Sequence, residues 1–146
     1  MAVSLTSLRT DSYTTMYNHL QTGTYALTTN NIHPHYNDKQ FKEEGLPQVI
    51  ILVNTVREKQ TIGRDNHLWN AMVTYSIVVY HNSAASARTL ADDVVNKIIT
   101  GKAVFYAVGL KNLQWEEDDY EVQYYGANKS MHKYTIDLSF RKMGVQ

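Results

Sequence analysis

The segment from residue 69 to 80 constrains the fold most, because apolar and polar side chains alternate along some twelve residues. One face would be entirely apolar: Trp69, Ala71, Val73, Tyr75, Ile77 and Val79. The other face would hold Asn70, Thr74 and Ser76, with Met72, Val78 and Tyr80 as apolar exceptions. A period of two predicts a β-strand, and a strand longer than the usual 5–6 residues is expected to overhang a small sheet.

Three further segments have strand patterns. Residues 48–57 are apolar on both sides, which favours a strand covered on both faces. Turn-forming residues at 62–66 would join it to the first strand as a long antiparallel hairpin. Strands are also expected at 113–124 and 131–142, connected by the turn 126–129. The last should place Tyr134, Ile136, Leu138 and Phe140 inward, and Thr135, Asp137, Ser139 and Arg141 outward.

Residues 5–20 show the spacing of an amphipathic helix. The apolar positions are Leu5, Leu8, Tyr13, Met16, Tyr17 and Leu20. Ser4 or Ser7 is the candidate N-cap and Gly23 the candidate stop. The following residues, 24–47, have no periodicity and are expected to form a long loop, which in a compact domain is usually functional or mobile.

A second helix is predicted after the hairpin, with Asn82 or Ser83 as its N-cap and Gly101 just past its end. Its apolar stripe consists of Ala87, Leu90, Ala91, Val94 and Ile98, while Arg88, Asp92, Asn96 and Lys97 lie off the stripe. The short apolar segment 103–108 fits either another turn of helix or an extended crossover.

The order of these elements predicts the fold class. Helix, loop, β-hairpin, helix and β-hairpin lack the strict alternation of a parallel α/β protein. We therefore expect a single α+β domain over residues 1–146, with an antiparallel or mixed twisted sheet of about four strands. Both helices would pack on one face of this sheet, since an amphipathic helix and an alternating strand each need one covering layer.

Composition excludes several functional classes. The 14 basic and 14 acidic side chains cancel, which argues against binding nucleic acid mainly through its phosphates. The absence of cysteine excludes disulfides, thiolate catalysis and cysteine-ligated metals. The longest apolar run, residues 49–53, is far shorter than the roughly 20 residues of a membrane-spanning helix. With no signal-peptide pattern in residues 1–10, we expect a soluble protein made inside the cell.

Two clusters in the sequence contain side chains that can bind metal ions. His33 and His35 flank a proline, but without cysteine a closed zinc site lacks ligands, and both histidines are expected to face solvent. Five of the 14 acidic residues fall within 116–121, the set Glu116, Glu117, Asp118, Asp119 and Glu121. The favoured interpretation is a solvated charged loop or strand start, with divalent-cation binding as the alternative. The motifs of serine hydrolases and phosphate-binding loops do not occur, so we assign no catalytic, cofactor or metal-binding residues.

Several phrases of the sequence resemble a known family. They are the strand 70–80, the helix built on 91–98, the pair Gly109-Leu110 and the closing strand 134–141. Together they resemble the tail terminator and tail-completion proteins of long-tailed bacteriophages, over residues 5 to 143. The resemblance implies an α+β subunit that assembles as a ring, typically a hexamer, at the head-proximal end of the tail. Its partners would be further copies of itself, the tail tube protein and the head-tail connector or stopper, and its location the virion.

The resemblance carries further expectations about contacts. DNA would pass through the ring without specific binding, past a lumen where residues 116–119 could repel it. The hairpin end 57–68 and the loop 24–47 would contact neighbouring subunits or the tube. The alternatives are a head-tail stopper or minor capsid protein, a cytoplasmic ligand-binding domain, and a small metal-dependent hydrolase using the acidic run. A hydrolase would show Mg²⁺-dependent activity lost in Glu117→Gln or Asp119→Asn.

Overall fold

The computed structural model describes residues 7–21, 32–34, 47–62, 66–124 and 130–145. For 57–62, 66–69, 117 and 143–145 it describes the backbone alone. The helices are α1 (Leu8–Gln21), α2 (Ala84–Thr100) and α3 (Lys102–Ala107). The strands are β1 (Ile32–His33), β2 (Gln48–Ile62), β3 (Asn66–His81), β4 (Lys111–Tyr124) and β5 (Ser130–Val145). The segment 103–108 is thus helical.

The strands form one mixed sheet in the order β1-β2-β3-β5-β4. β1 pairs with β2 in parallel, and the other neighbours are antiparallel. The α+β class is therefore confirmed. The expected number of about four strands is wrong: the described residues already form five, because β1 is too short to show a period in the sequence.

The predicted hairpin of β2 and β3 is confirmed, and it is longer than expected. Its pairing runs from Gln48 opposite Tyr80 to Ile62 opposite Asn66. The pairing of β4 with β5 reaches only Lys111 opposite Arg141, and Arg141 in turn lies opposite Met72. The hairpin therefore extends well past Lys111, the first residue of β4. The predicted overhang is present in the backbone.

One face of the sheet carries the main core. The alternating residues Ala71, Val73, Tyr75, Ile77 and Val79 are fully buried. They pack together with the inward residues of β5 and with all three helices in one apolar cluster. The prediction of helices on one face is confirmed. We call this side the helix face and the opposite side the open face.

Helix α1 packs on the sheet through residues four apart, which return to the same side of a helix. Its buried residues are Leu8, Ser12, Met16 and Leu20, and Tyr13 and Tyr17 are partly buried against the core. The fully buried stripe of α1 is therefore narrower than the apolar stripe that the sequence predicted, because the two tyrosines lie at its margin. Ser7, one of the two N-cap candidates, directly precedes the helix and donates a hydrogen bond of 2.8 Å from its hydroxyl to the Asp11 carboxylate. Ser4 and Gly23 lie outside the described residues.

Helix α2 follows its sequence signals closely. Of the two N-cap candidates, Ser83 caps the helix: its hydroxyl accepts a 3.2 Å hydrogen bond from the backbone N–H of Ser86. The buried residues are Ala87, Ala91, Val94 and Ile98, and Gly101 follows the last turn as expected. A cap of this kind stabilises a helix by about 1 kcal/mol.

Two expectations need correction. Residues 24–47 are not irregular throughout, because Ile32 and His33 form β1 and are only 3% and 7% exposed. His33 is therefore not solvent-facing, while His35 lies outside the described residues. Strand β2 is covered on both faces only at its start, since Leu52 is 41% and Val56 52% exposed. Both lie on the open face, away from the helices.

Among the residues described, no helix is long and apolar enough to span a membrane.

Candidate functional site: the outer edge of strand β4

Strand β4 forms one edge of the sheet and, in the described part of the chain, pairs with β5 alone. The backbone N–H and C=O groups on its far side therefore have no neighbouring strand among these residues. Such an edge can accept a strand from another chain. We use the name β4 edge for residues 111–124 with the side chains that flank them.

Two irregularities interrupt the β4 edge. Between Lys111 and Gln114, and again between Trp115 and Asp118, β4 advances three residues while β5 advances two. Each is a β-bulge, which increases the local twist. Asn112, within the first bulge, has a φ of 55°, in the left-handed region that asparagine tolerates better than most residues. Bulges of this kind limit indiscriminate pairing at a sheet edge.

Aromatic side chains are exposed along the β4 edge. Trp115 is 39%, Tyr120 41% and Tyr124 80% exposed. The register places Trp115 opposite Leu138 and Tyr120 opposite Tyr134, hence on the helix face. Helix α2 packs mainly over β3 and β5, so among the described helices it does not cover Trp115 and Tyr120.

The ring of Tyr120 is held in position although it is exposed. Its centroid lies 4.9 Å from that of Tyr134. Its hydroxyl oxygen lies 2.6 Å from Nδ1 of His132, within hydrogen-bonding distance. An aromatic ring fixed in this way can be buried in an interface at a lower entropic cost than a mobile one.

The acidic run lies within β4, and is not a loop or a strand start. Glu116, Asp118, Asp119 and Glu121 are exposed. Glu121 forms an ion pair of 3.1 Å with Lys133 on the adjacent strand. In the part of the chain that is described, no three carboxylate or histidine side chains are grouped to hold a metal ion.

Asp118 is electrostatically unfavourable in the single chain. Partial burial is the largest cause that raises its pKa, and the charges of Asp137 and Asp92 raise it further. A carboxylate in such surroundings would be stabilised by a cation brought in by a partner.

A cleft adjoins the β4 edge where α3 meets β4. Its volume is about 400 Å³, and its lining residues are Lys102, Ala103, Tyr106, Leu110, Lys111, Asn112, Leu113 and Phe140. The ammonium of Lys111 lies 4.7 Å from the ring centroid of Tyr106, in a cation–π contact. Tyr106 is 63% and Val104 48% exposed, so apolar surface continues from the β4 edge onto α3.

The opposite margin of the molecule, beside β2, has different chemistry. Leu52 and Val56 are its exposed apolar side chains on the open face. On the helix face, α1 packs on β2, and the rings of Tyr13 and Tyr17 in α1 stack with centroids 5.7 Å apart. His19 faces α2, because its Nε2 donates a 2.9 Å hydrogen bond to the carbonyl oxygen of Lys97. At about 100° per residue, the two tyrosines lie about 120–160° round α1 from His19, on the side away from α2.

The aromatic part of this site was not identified from the sequence. Among the strand tyrosines, Tyr75 and Tyr80 are buried, whereas Tyr120 and Tyr124 are exposed. The sequence does not reveal that Trp115 and Tyr120 share a face, because the two bulges break the alternation of β4. The acidic run was the signal that could have marked this strand as an edge, since edge strands often carry charge.

Comparison with known proteins assigns no family. No protein-family model matches the chain, and no curated protein matches it. Its function is therefore inferred from its own surfaces and sequence pattern.

Proposed function

We propose that this chain is a structural virion protein that forms a ring at the head-proximal end of a bacteriophage tail. The ring, of about six copies, ends growth of the tail tube and joins the tail to the head connector. The proposal starts from the sequence resemblance over residues 5–143. It is supported by an α+β subunit with two dissimilar lateral margins.

The pair of margins is the observation that carries the proposal. A closed ring larger than a dimer requires each subunit to present two different, complementary surfaces. One margin of this sheet is the acidic, aromatic β4 edge. The other is the margin beside β2, with exposed Leu52 and Val56 on the open face and with Tyr13 and Tyr17 of α1 on the helix face.

The charge distribution supports passage of DNA without specific binding. The formal charge of the chain is zero, which gives phosphates no net attraction. The exposed carboxylates of Glu116, Asp118 and Asp119 would repel a duplex that came near them. A ring with these properties acts as a conduit for DNA.

The overhanging hairpin end, residues 57–68, is proposed to contact the tail tube or the connector. It projects beyond β4 along the strand direction. If the strands run parallel to the ring axis, this end points toward the tail tube or the connector. Replacing residues 60–68 by a two-residue turn between the paired Lys59 and Trp69 should leave the sheet core intact. It should abolish binding to purified tails, while an unchanged binding would contradict the contact.

Residues 24–47 are proposed to contact a neighbouring subunit or the tube, and a deletion that tests this must spare strand β1. Deleting residues 30–40 would remove the buried strand β1. A deletion confined to residues 36–45 spares β1 and tests the contact of residues that lie outside the described part of the chain. Loss of ring formation in a folded variant would place these residues at a subunit or tube contact.

Native mass spectrometry of the purified chain tests the ring directly. A closed species of about six copies supports the proposal, and a stable monomer or dimer at high concentration contradicts it. Negative-stain images of particles labelled on this subunit should show it at the junction of head and tail. Label on the capsid shell would favour the alternative of a minor capsid protein.

A further inference from the structure

We propose that the β4 edge of one subunit pairs, antiparallel, with the outer edge of β2 in the next subunit, so that the sheet continues round the ring. This inference rests on the ring proposed above and names its subunit interface. The partner is a second copy of this chain, and the contact is head-to-tail.

Strand directions within the sheet fit this pairing. β2 is antiparallel to β3, and β3 is antiparallel to β5, so β2 and β5 run in the same direction. β4 is antiparallel to β5 and therefore runs opposite to β2. A rotation about an axis along the strands preserves these directions. It sets β4 of one copy beside β2 of the next in the antiparallel arrangement, the commoner one in proteins.

Both edges offer enough backbone for a stable ladder. In the described chain, β1 covers β2 only at Val49 and Ile50. The strand then continues from Ile51 to Ile62 with no neighbour described on that side. β4 spans 14 residues. Pairing would satisfy backbone groups on two edges at once and would remove the aggregation hazard that a free edge creates.

Charge favours β2 over a second β4 as the partner strand. β4 contains one lysine and five carboxylates, a formal charge of −4, whereas β2 contains Arg57, Glu58 and Lys59, a formal charge of +1. Two β4 edges together would bring −8 into one interface, and like charges directly opposite are destabilising. The pairing with β2 combines charges of opposite sign.

The apolar surface is complementary as well. Trp115 and Tyr120 are exposed on the helix face of β4, beyond the area that α2 covers. In the next subunit, α1 packs above β2, with Tyr13 and Tyr17 on its side away from α2. Continuing the sheet brings this helix flank over the uncovered aromatics. Tyrosine and tryptophan are enriched at interface centres, where they combine large area with few rotatable bonds.

Cysteine pairing tests the interface cleanly, because the chain has no cysteine of its own. Gln114 and Asp119 lie on the open face of β4, opposite Ser139 and Thr135. Leu52, Asn54 and Val56 are exposed on the same face of β2. We would combine Gln114→Cys or Asp119→Cys with each of Leu52→Cys, Asn54→Cys and Val56→Cys. The six double variants sample the registers in steps of two residues, and Cβ atoms must approach within about 4.5 Å to form a disulfide.

The expected result is a ladder of covalent oligomers on non-reducing gels, up to about six copies, in at least one double variant. The ladder should collapse to monomer on reduction. The matched control joins Asn54→Cys to Asn96→Cys on the exposed side of α2, and it should remain monomeric. Absence of a ladder in all six variants, with ring formation intact, would overturn the proposed pairing.

The single variants separate this interface from a two-fold one. Gln114→Cys alone or Asp119→Cys alone should form no disulfide-linked species and should migrate as a monomer on a non-reducing denaturing gel. A head-to-tail contact never brings two β4 strands together. Efficient disulfide dimers from either would establish pairing of β4 with β4 and overturn the inference. Native mass spectrometry of the same proteins under reduction reports the ring independently. A ring in the native mass spectrum without cross-links in any double variant would contradict the proposed interface alone. A monomer in the native mass spectrum would contradict the proposed function.

Discussion

The hydroxyl of Tyr75, in the central strand β3, donates a 2.7 Å hydrogen bond to the backbone carbonyl oxygen of Ser12 in α1. Both residues are fully buried, and they are 63 positions apart in the sequence. The bond therefore sets the position of α1 on the sheet. Burial raises the pKa of the Tyr75 phenol, because an ionised phenolate would lose its hydration there.

Tyr75→Phe should lower the free energy of unfolding by about 1–2 kcal/mol, since it removes a buried hydrogen bond but keeps the ring. Urea unfolding at pH 7 measures the loss. Ser12→Ala is the control: it keeps the backbone carbonyl and hence the bond, and it should change stability by less than about 1 kcal/mol. An equal loss in both variants would show that the hydrogen bond is not the cause.

The same tyrosine predicts a sensitivity to alkaline pH. Its pKa is raised in the folded state, so folding keeps its proton bound more tightly than the unfolded chain does. The protonated Tyr75 phenol therefore contributes to the free energy of unfolding below the unfolded pKa of about 10, and this contribution is lost as pH rises above it. Unfolding followed between pH 8 and 11 should show a steeper decline in the native protein than in Tyr75→Phe. Parallel curves would contradict the assignment.

Gly101→Ala should destabilise the protein by about 1–3 kcal/mol, the range for overpacking a filled site. A Cβ at this position would overlap the His19 imidazole, which closes the contact between α1 and the end of α2. Backbone strain is not the reason, because φ of Gly101 is −94°. In His19→Ala/Gly101→Ala the added cost should shrink, and a double-mutant cycle measures this coupling. Strict additivity would show that the clash is absent.

Phe105 and Tyr106 are adjacent on α3 and should behave in opposite ways. Phe105 is fully buried and its ring centroid lies 4.9 Å from that of Phe140, so Phe105→Ala should cost about 3–5 kcal/mol. Tyr106 is 63% exposed, and Tyr106→Ala should leave thermal unfolding nearly unchanged. If the apolar surface of α3 belongs to the subunit interface, Tyr106→Ala should still weaken ring formation. Sedimentation velocity and thermal melting of both variants check the pair.

Asp118→Asn should slightly stabilise the isolated subunit at pH 7. Burial and nearby carboxylates raise the pKa of Asp118 in the folded state, so its ionised form costs stability above the unfolded pKa of about 3.9. That cost disappears as pH falls through the folded pKa. Solvent screening keeps the gain below about 1 kcal/mol. Asp119→Asn, on the open face, is the control. The urea midpoint of Asp118→Asn should exceed that of Asp119→Asn at pH 7, and the two midpoints should agree at pH 3.5.

Much of the fold was predictable because it depends on local periodicity. The alternation of residues 71–79 required one buried face, and the Ser83 cap with its apolar stripe specified α2. Strand β1 was missed because two residues cannot display a period. The exposure of Leu52 and Val56 was missed because an apolar run does not reveal whether a second layer covers it.

The candidate site divides in the same way. The acidic run of residues 116–121 is visible in the sequence, but its location at a sheet edge is not. The bulges at β4 hide the positions of Trp115 and Tyr120, since each extra residue reverses the face on which the following side chains lie.

By itself, the sequence determined the class of the chain: an α+β domain with one helix-covered face, without cysteine chemistry and with balanced charge. Local side-chain patterns suffice for this, because they decide which faces must be removed from water. Only the tertiary structure decided that β4 forms one edge of the sheet and that β2 lies at the opposite side, beside the two-residue strand β1. It also decided that β4 and β2 run in opposite directions. Strand order depends on contacts between residues far apart in the chain, and those contacts leave no period in the sequence.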